Sequence, residues 1–248
     1  MEGKRVLVTG SSRGIGKAIA LQLAQDGWKV AVHYTAGVDE AKATIRELGD
    51  AAAGLYQTDL ADPSCTTSLF DLALADGPIH ALVNNAGVYL PLNYATSDDA
   101  AFEQNWSRTF AINVESPARL MRAAAKYFIG QGSGGKVLNV ASRVGFRGEP
   151  GAAVYAASKA ALINLTRSLA VEMAPHNIGF FGIAPGWVDT AMSRDGMQDR
   201  LASILPTIPL GRMASPEDCA ATASFLLSDG AAYLSGVTID INGASYLH

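Results

Sequence analysis

The chain has 248 residues, 49% hydrophobic and 17% charged, enough to bury a large core within one α/β domain. A formal charge of −4 offers no broad attraction to a phosphate backbone, which excludes nucleic acid as an expected partner. Its two cysteines, Cys65 and Cys219, are far apart and outside any metal or redox spacing, which argues against a disulfide scaffold or zinc site and for a reducing cytoplasm.

The first strand-like run, in "MEGKRVLVTG", begins too early for a signal peptide, and no apolar stretch reaches the roughly 18 residues of a membrane span. Along the chain, "RVLVT" is followed by a helical pattern from Gly14 to Asp26, "KVAVHY" by one near Asp39 to Leu48, and "AGLYQ" by one from Pro63 to Ala75. Then come "IHALVN", a long helical region from about Asp99 to Ile129, "KVLNVA" preceded by the turn "GQGSGG", a helix through Tyr155 to Met173, "IGFFGIA", a helix after Ser215 and the last strand "GVTIDI".

Continuous apolar strands separated by crossover-length helices predict a parallel sheet covered on both faces. The expected fold is therefore a single-domain Rossmann fold over residues 1–248: α/β, doubly wound, seven parallel strands. Within the long helical region, Ser116 is expected to act as an N-cap with Pro117 at the first helical position, leaving Asn113 at a kink. The segment from Trp187 to Ser215 is long for a connection and is expected to form a substrate lid.

"VLVTGSSRGIGKAIA" puts Gly10, Gly14 and Gly16 where the first strand turns into the first helix. Glycines there allow a tight turn and close backbone approach, and the helix N-terminus offers unpaired N–H groups to a pyrophosphate. Ser12, Arg13 and Ile15 complete this candidate dinucleotide loop. The second strand ends without an acid at His33, Tyr34 or Thr35, and Arg13 lies inside the loop. The pocket is thus expected to accept a 2′-phosphate, favouring NADP(H) over NAD(H), with Asp39 or Glu40 serving an unphosphorylated ribose in the alternative. Asp59, followed by Leu60, is positioned either to meet the adenine or to cap the next helix.

Taken in order, "TGSSRGIG", "NNAG" at 84–87, Asn113, Ser142, "YAASK" at 155–159 and "PGWVDT" at 185–190 resemble the short-chain dehydrogenases/reductases. By overall look the chain is most similar to the 3-oxoacyl-(acyl-carrier-protein) reductase group. The resemblance spans the whole chain and implies a catalytic tetrad of Asn113, Ser142, Tyr155 and Lys159. It also implies cofactor contacts from Asn85, Ala86, Gly87, Tyr155, Lys159, Pro185, Gly186, Val188 and Thr190, and a homotetramer. Val171 stands where a positive charge for carrier-protein binding is common in that group. Gly179, Phe180 and Phe181 replace an Arg-Val-Asn run, a change expected to alter subunit packing.

Tyr155 and Lys159, four apart, share a helix face. Bringing a phenol from about 10 to 7 requires roughly 4 kcal/mol, which an ammonium at about 4.5 Å would supply at an effective dielectric near 20. Tyr155 is thus expected to exchange a proton with a carbonyl or alcohol oxygen while Ser142 holds that oxygen and nicotinamide carries hydride. Lys159 would also bind ribose hydroxyls, and Asn113 would hold a water. The expected substrate walls are Tyr89, Leu90 and Tyr94, then Arg143 and Phe146, then Met192, Met197, Leu201 and Ile204. Arg143, Arg147 and Arg194 are expected to be ordinary snorkelling surface arginines. The alternatives are an NAD(H)-dependent alcohol dehydrogenase and a non-catalytic NADP-sensing protein.

Overall fold

The computed structural model describes residues 3–194 and 201–248. Seven strands form one parallel sheet in the order β3-β2-β1-β4-β5-β6-β7. They are β1 (Arg5–Val8), β2 (Lys29–Tyr34), β3 (Ala52–Gln57), β4 (Ala81–Asn84), β5 (Gly135–Val140), β6 (Ile178–Pro185) and β7 (Thr238–Ile241). The connecting helices are α1 (Gly14–Gln25), α2 (Val38–Leu48), α3 (Pro63–Ala75), α4 (Asp99–Phe110), α5 (Ser116–Gln131), α6 (Ala153–Met173), α7 (Ala191–Arg194), α8 (Leu201–Ile204) and α9 (Pro216–Leu227). Strand order reverses between β1 and β4, which opens a crevice above their carboxyl ends.

The middle residues of the central strands are apolar in succession because alternate residues enter different cores. Val6, Val8, Val30, Val32, Ala81 and Val83 pack with Ile19 and Leu23 of α1 and Leu226 of α9. Their neighbours Leu7, Ala31 and Leu82 pack on the opposite face with Phe70 of α3, Met121 and Phe128 of α5 and Leu162 of α6. A one-residue slip of any central strand would exchange the two sets, so burial on both faces fixes the register.

Phe180 and Phe181 belong to these two cores and are fully buried, so they fill the interior rather than modify a subunit surface as expected. Asp62, followed by Pro63, caps α3 by accepting the Ser64 N–H at 2.8 Å, which leaves Asp59 free of that task. Ser215 and Asp218 form a reciprocal capping box on α9.

The long helical region does not break at Ser116. Residues 111–115 form a π-helical turn between α4 and α5, and Ser116 itself is helical at φ −63° and ψ −53°, so it is no N-cap. Pro117 has no N–H to donate to the carbonyl four residues back, and the widened turn upstream absorbs that missing bond without ending the helix. Asn113 lies inside the π-turn, fully buried.

In the segment from Trp187 to Ser215, Ile204 and Ile208 pack with Trp187 and Met213. Met197 lies outside the described residues. Among the described residues, no helix is long and apolar enough to cross a membrane.

Candidate active site

At the end of β1 the glycine loop is locked to the segment after β4. Thr9 Oγ1 accepts the backbone N–H groups of Asn85 and Ala86, each at 3.0 Å, while Asn85 Nδ2 donates to the carbonyls of Thr9 and Gly10 at 2.9 and 3.1 Å. Gly10 and Gly14 have φ of +63° and +56°, which favour glycine. A side chain on Gly16 would collide with Asn85 Nδ2 and the Gly10 carbonyl. Among the described residues no side chain caps the N-terminus of α1, so its first N–H groups are placed to meet an anion.

His33 has a different role from the expected one. It is fully buried and absent from the cleft wall. Its Nδ1 accepts the Gly10 N–H at 3.1 Å, and its Nε2 lies 3.2 Å from the Thr58 carbonyl, which requires the proton on Nε2. Burial pulls its pKa down to about 4, so the ring is neutral near pH 7. The side chain braces the glycine loop against β2 and the end of β3.

A cleft of about 460 Å³ runs from this loop to Tyr155. Gly10, Ser12, Arg13, Gly14, Ile15, Gly16, Tyr34, Asp59 and Leu60 line one end, and Asn85, Ala86, Gly87, Pro185, Gly186, Val188 and Thr190 line its middle. At the far end are Ser142, Tyr155 and Lys159, together with Tyr89, Arg143, Glu149 and Trp187. Every cofactor contact expected from the sequence except His33 lies on this wall. A glycine-floored channel beside an uncapped helix fits an extended dinucleotide.

Three of the expected tetrad residues meet at the cleft. Ser142 follows β5 in extended conformation beside Tyr155 of α6, and its side chain moderates the pKa of the phenol. Lys159, one turn beyond Tyr155, is 3% exposed; its Nζ donates to the Val140 carbonyl at 2.9 Å and stands 5.7 Å from the Tyr155 ring centroid. Asn113 is set behind them: its Oδ1 accepts the Val88 N–H at 2.9 Å, and its Nδ2 donates to the Val88 carbonyl at 3.0 Å and to Ser158 Oγ at 3.1 Å.

The electrostatics depart from expectation. Burial pushes the Tyr155 phenol up to about 12, a rise moderated by the Ser142 hydrogen bond and reinforced by Tyr89 and Glu149. Burial likewise pulls Lys159 down to about 8. A single ammonium committed to the Val140 carbonyl does not outweigh the loss of water around the phenol.

Sequence reading also misjudged part of the substrate end. Arg143 is 5% exposed, not a snorkelling surface arginine, whereas Arg194 is exposed and paired with Asp189. Tyr94 is 65% exposed and meets Phe102 edge to face, and Phe146 stacks on His248 at 3.9 Å. Glu149 was not anticipated, because a single acid in the loop "FRGEPG" carries no signal until the fold brings it beside Arg143. Ser158 and Thr9, which hold Asn113 and the Asn85–Ala86 segment, were missed for the same reason.

A parallel sheet with a glycine-floored crevice and a Ser–Tyr–Lys cluster at its end defines an oxidoreductase of the Rossmann type. The chain belongs to the short-chain dehydrogenase/reductase family and is an oxidoreductase acting between CH–OH and C=O groups: residues 10–244 match the family described as enoyl-(acyl carrier protein) reductase. It is 36% identical over 251 residues to the 3-oxoacyl-(acyl-carrier-protein) reductase of Staphylococcus aureus, covering 98% of each chain. Among solved structures, it is similar to the 3-ketoacyl-(acyl-carrier-protein) reductase of Brucella melitensis complexed with NADH (29% identity, TM-score 0.90, 99% of each chain). It is also similar to the acetoin dehydrogenase of Salmonella typhimurium (31% identity, TM-score 0.88, 97% of this chain and 95% of the other).

Proposed function

We propose that the protein is an NADP(H)-dependent reductase of ketones or aldehydes, and oxidises the corresponding alcohols in reverse, with Tyr155 exchanging the proton. The observation that carries this reading is the meeting of Ser142, Tyr155 and Lys159 in the cleft that begins at the glycine loop. A bound nicotinamide supplies hydride to the carbonyl carbon, or accepts it in reverse. Ser142 Oγ and Tyr155 Oη both hydrogen-bond the carbonyl oxygen, holding the carbonyl carbon in line and stabilising the charge that develops on the oxygen.

As that charge grows, Tyr155 donates its proton to the oxygen and the product leaves as an alcohol. A phenol held protonated by burial suits this direction. The buried Lys159 ammonium stabilises the resulting phenolate and also binds ribose hydroxyls. Asn113 Oδ1 and Lys159 Nζ approach the same point beside Gly87, where a water would return the proton from solvent. The test is Tyr155→Phe: carbonyl reduction should fall about 10²–10⁴-fold while NADPH still raises the melting temperature. Retention of most turnover would overturn the assignment.

The NADP(H) preference is supported by a β2 end lined by Tyr34, Thr35 and Ala36, with no carboxylate, and by exposed Arg13 at the same end. The Arg13 guanidinium has no hydrogen-bond or ion-pair partner among the described residues. NADPH should stabilise the fold more than NADH, and Arg13→Gln should remove about a tenfold preference; an equal response to both would favour the NAD(H) alternative.

Exposed Trp106, Ile129, Phe225, Tyr233 and Leu234 support a homotetramer, to be checked by its mass in gel filtration. The same reading makes it a cytoplasmic enzyme of small-molecule carbonyl compounds, with residues 187–215 as lid.

A further inference from the structure

The residue after Ser142 belongs to a part of the substrate end that the reaction above does not use. The Arg143 side chain is 6% exposed, and its Nη2 donates to Glu149 Oε2 at 3.0 Å; the Glu149 side chain is 13% exposed. Nη1 donates to Ser245 Oγ at 3.1 Å, and the guanidinium lies 5.5 Å from the Trp187 ring centroid. Its Nε is buried with no acceptor among the described residues. Arg143, Glu149 and Trp187 all line the cleft with Ser142 and Tyr155.

A guanidinium that lines the cleft with one N–H shielded and unpaired is an incomplete hydrogen-bonding group, and a side-chain shift that turns it to a ligand oxygen is favoured. Its partner carboxylate can accept from a hydroxyl, since a carboxylate has room for several donors. One ligand group both accepts from Arg143 and donates to Glu149: a neutral hydroxyl. A carboxylate meets Glu149 repulsion that offsets the attraction of Arg143, and a plain alkyl chain offers hydrogen bonds to neither. The pair is close to the reacting centre, because Arg143 adjoins Ser142 in the chain and the Glu149 charge is felt at Tyr155.

We propose that Arg143 and Glu149 form a specificity-determining pair that selects neutral carbonyl compounds bearing a hydroxyl on the adjacent carbon, and vicinal diols in the reverse direction. This rests on the carbonyl-reductase reading given above.

The experiment compares matched ketones with NADPH: acetoin with butanone, dihydroxyacetone with acetone, and pyruvate as the anionic control. The hydroxy ketones are expected to exceed their deoxy partners in kcat/KM by on the order of a hundredfold, because a site built to bond a hydroxyl rejects an analogue lacking it. Arg143→Lys and Glu149→Gln should each lower that ratio about tenfold. With NADP present, butanediol should raise the melting temperature further, and secondary butanol should not. A ratio near one in the unaltered enzyme, a preference for pyruvate, or a ratio untouched in both variants would overturn the pair as selector while leaving the reductase reading intact. No turnover of any carbonyl compound by enzyme that binds NADPH would instead overturn the reductase reading and the inference with it. Should one variant fail to fold, the other and the unaltered enzyme still decide.

Discussion

Lys159 Nζ is bound to the Val140 carbonyl at 2.9 Å, inside the protein. The ammonium therefore carries a desolvation cost that the coenzyme-free fold does not recover. Lysine in the unfolded chain titrates near 10.5 and Lys159 in the fold near 8. Between those values the unfolded chain holds a proton that the folded chain has released, so stability rises with pH across this window, and below about 8 the penalty, roughly 3 kcal/mol, is in full force. Lys159→Met is expected to abolish carbonyl reduction yet raise the melting temperature at pH 7, with the gain shrinking towards pH 10.5. Thermal scans of both proteins across that range check it; a Lys159→Met enzyme that is less stable at pH 7 would refute the argument.

His33 gives a second pH dependence, at the acidic side. Its pKa is depressed from 6.5 to about 4, so between these values the unfolded chain binds a proton that the folded chain does not. Stability is fully present above about 6.5 and is lost as pH falls towards 4, by roughly 3 kcal/mol over the window. Protonated Nδ1 would face the Gly10 N–H donor to donor, so the glycine loop should loosen first. His33→Asn is expected to flatten the melting-temperature profile between pH 6.5 and 4. Coenzyme binding, followed by nicotinamide fluorescence, should weaken at low pH in the unaltered protein more than in the variant.

Gly87 marks the point that Asn113 and Lys159 share. A Cβ there would lie 3.2 Å from Asn113 Oδ1 and 3.4 Å from Lys159 Nζ, tight but not prohibitive, and the glycine does not adopt a positive φ. Gly87→Ala should therefore fold, with a melting temperature within a few degrees of the unaltered protein, while losing about tenfold or more in kcat as the space for a proton-returning water is filled. Steady-state kinetics beside a thermal scan separates the two effects.

Much of the fold was legible because its causes are local. Strands buried on both faces read as continuous apolar runs, and helix starts carried Pro, Asp or Ser signals. The glycine-floored side of the cleft was legible because glycine spacing and helix position are sequence properties. What escaped depended on three-dimensional surroundings. His33 at the end of β2 reads as a pocket residue, but its ring turns inward to Gly10 and Thr58. The helix at Ser116 continues because a π-turn, invisible to periodicity, accommodates Pro117. The Tyr155 pKa was misjudged because spacing reveals Lys159 as a neighbour but not the burial that opposes it. Arg143 and Glu149 are ordinary loop residues until the chain terminus folds over them.

That terminus supplies the last prediction. Ser245 Oγ accepts from Arg143, Tyr246 Oη donates to the Phe146 carbonyl at 3.3 Å, and the His248 ring stacks on Phe146 with its Nδ1 3.1 Å from Asp240 Oδ2. Together these contacts press the 143–149 loop against the cleft from outside, holding Arg143 where Glu149 meets it. Removing residues 245–248 takes away an acceptor from a buried guanidinium and a partner from Asp240, whose carboxyl is already pushed up by burial. Some loss of stability follows, on the order of 1–3 kcal/mol. The discriminating effect is kinetic: KM for the carbonyl substrate should rise about five- to tenfold, while the melting-temperature increase produced by NADPH is preserved, because the glycine loop lies at the other end of the cleft. A truncated enzyme with lower stability but unchanged KM would reduce the tail to a structural clasp with no hold on substrate.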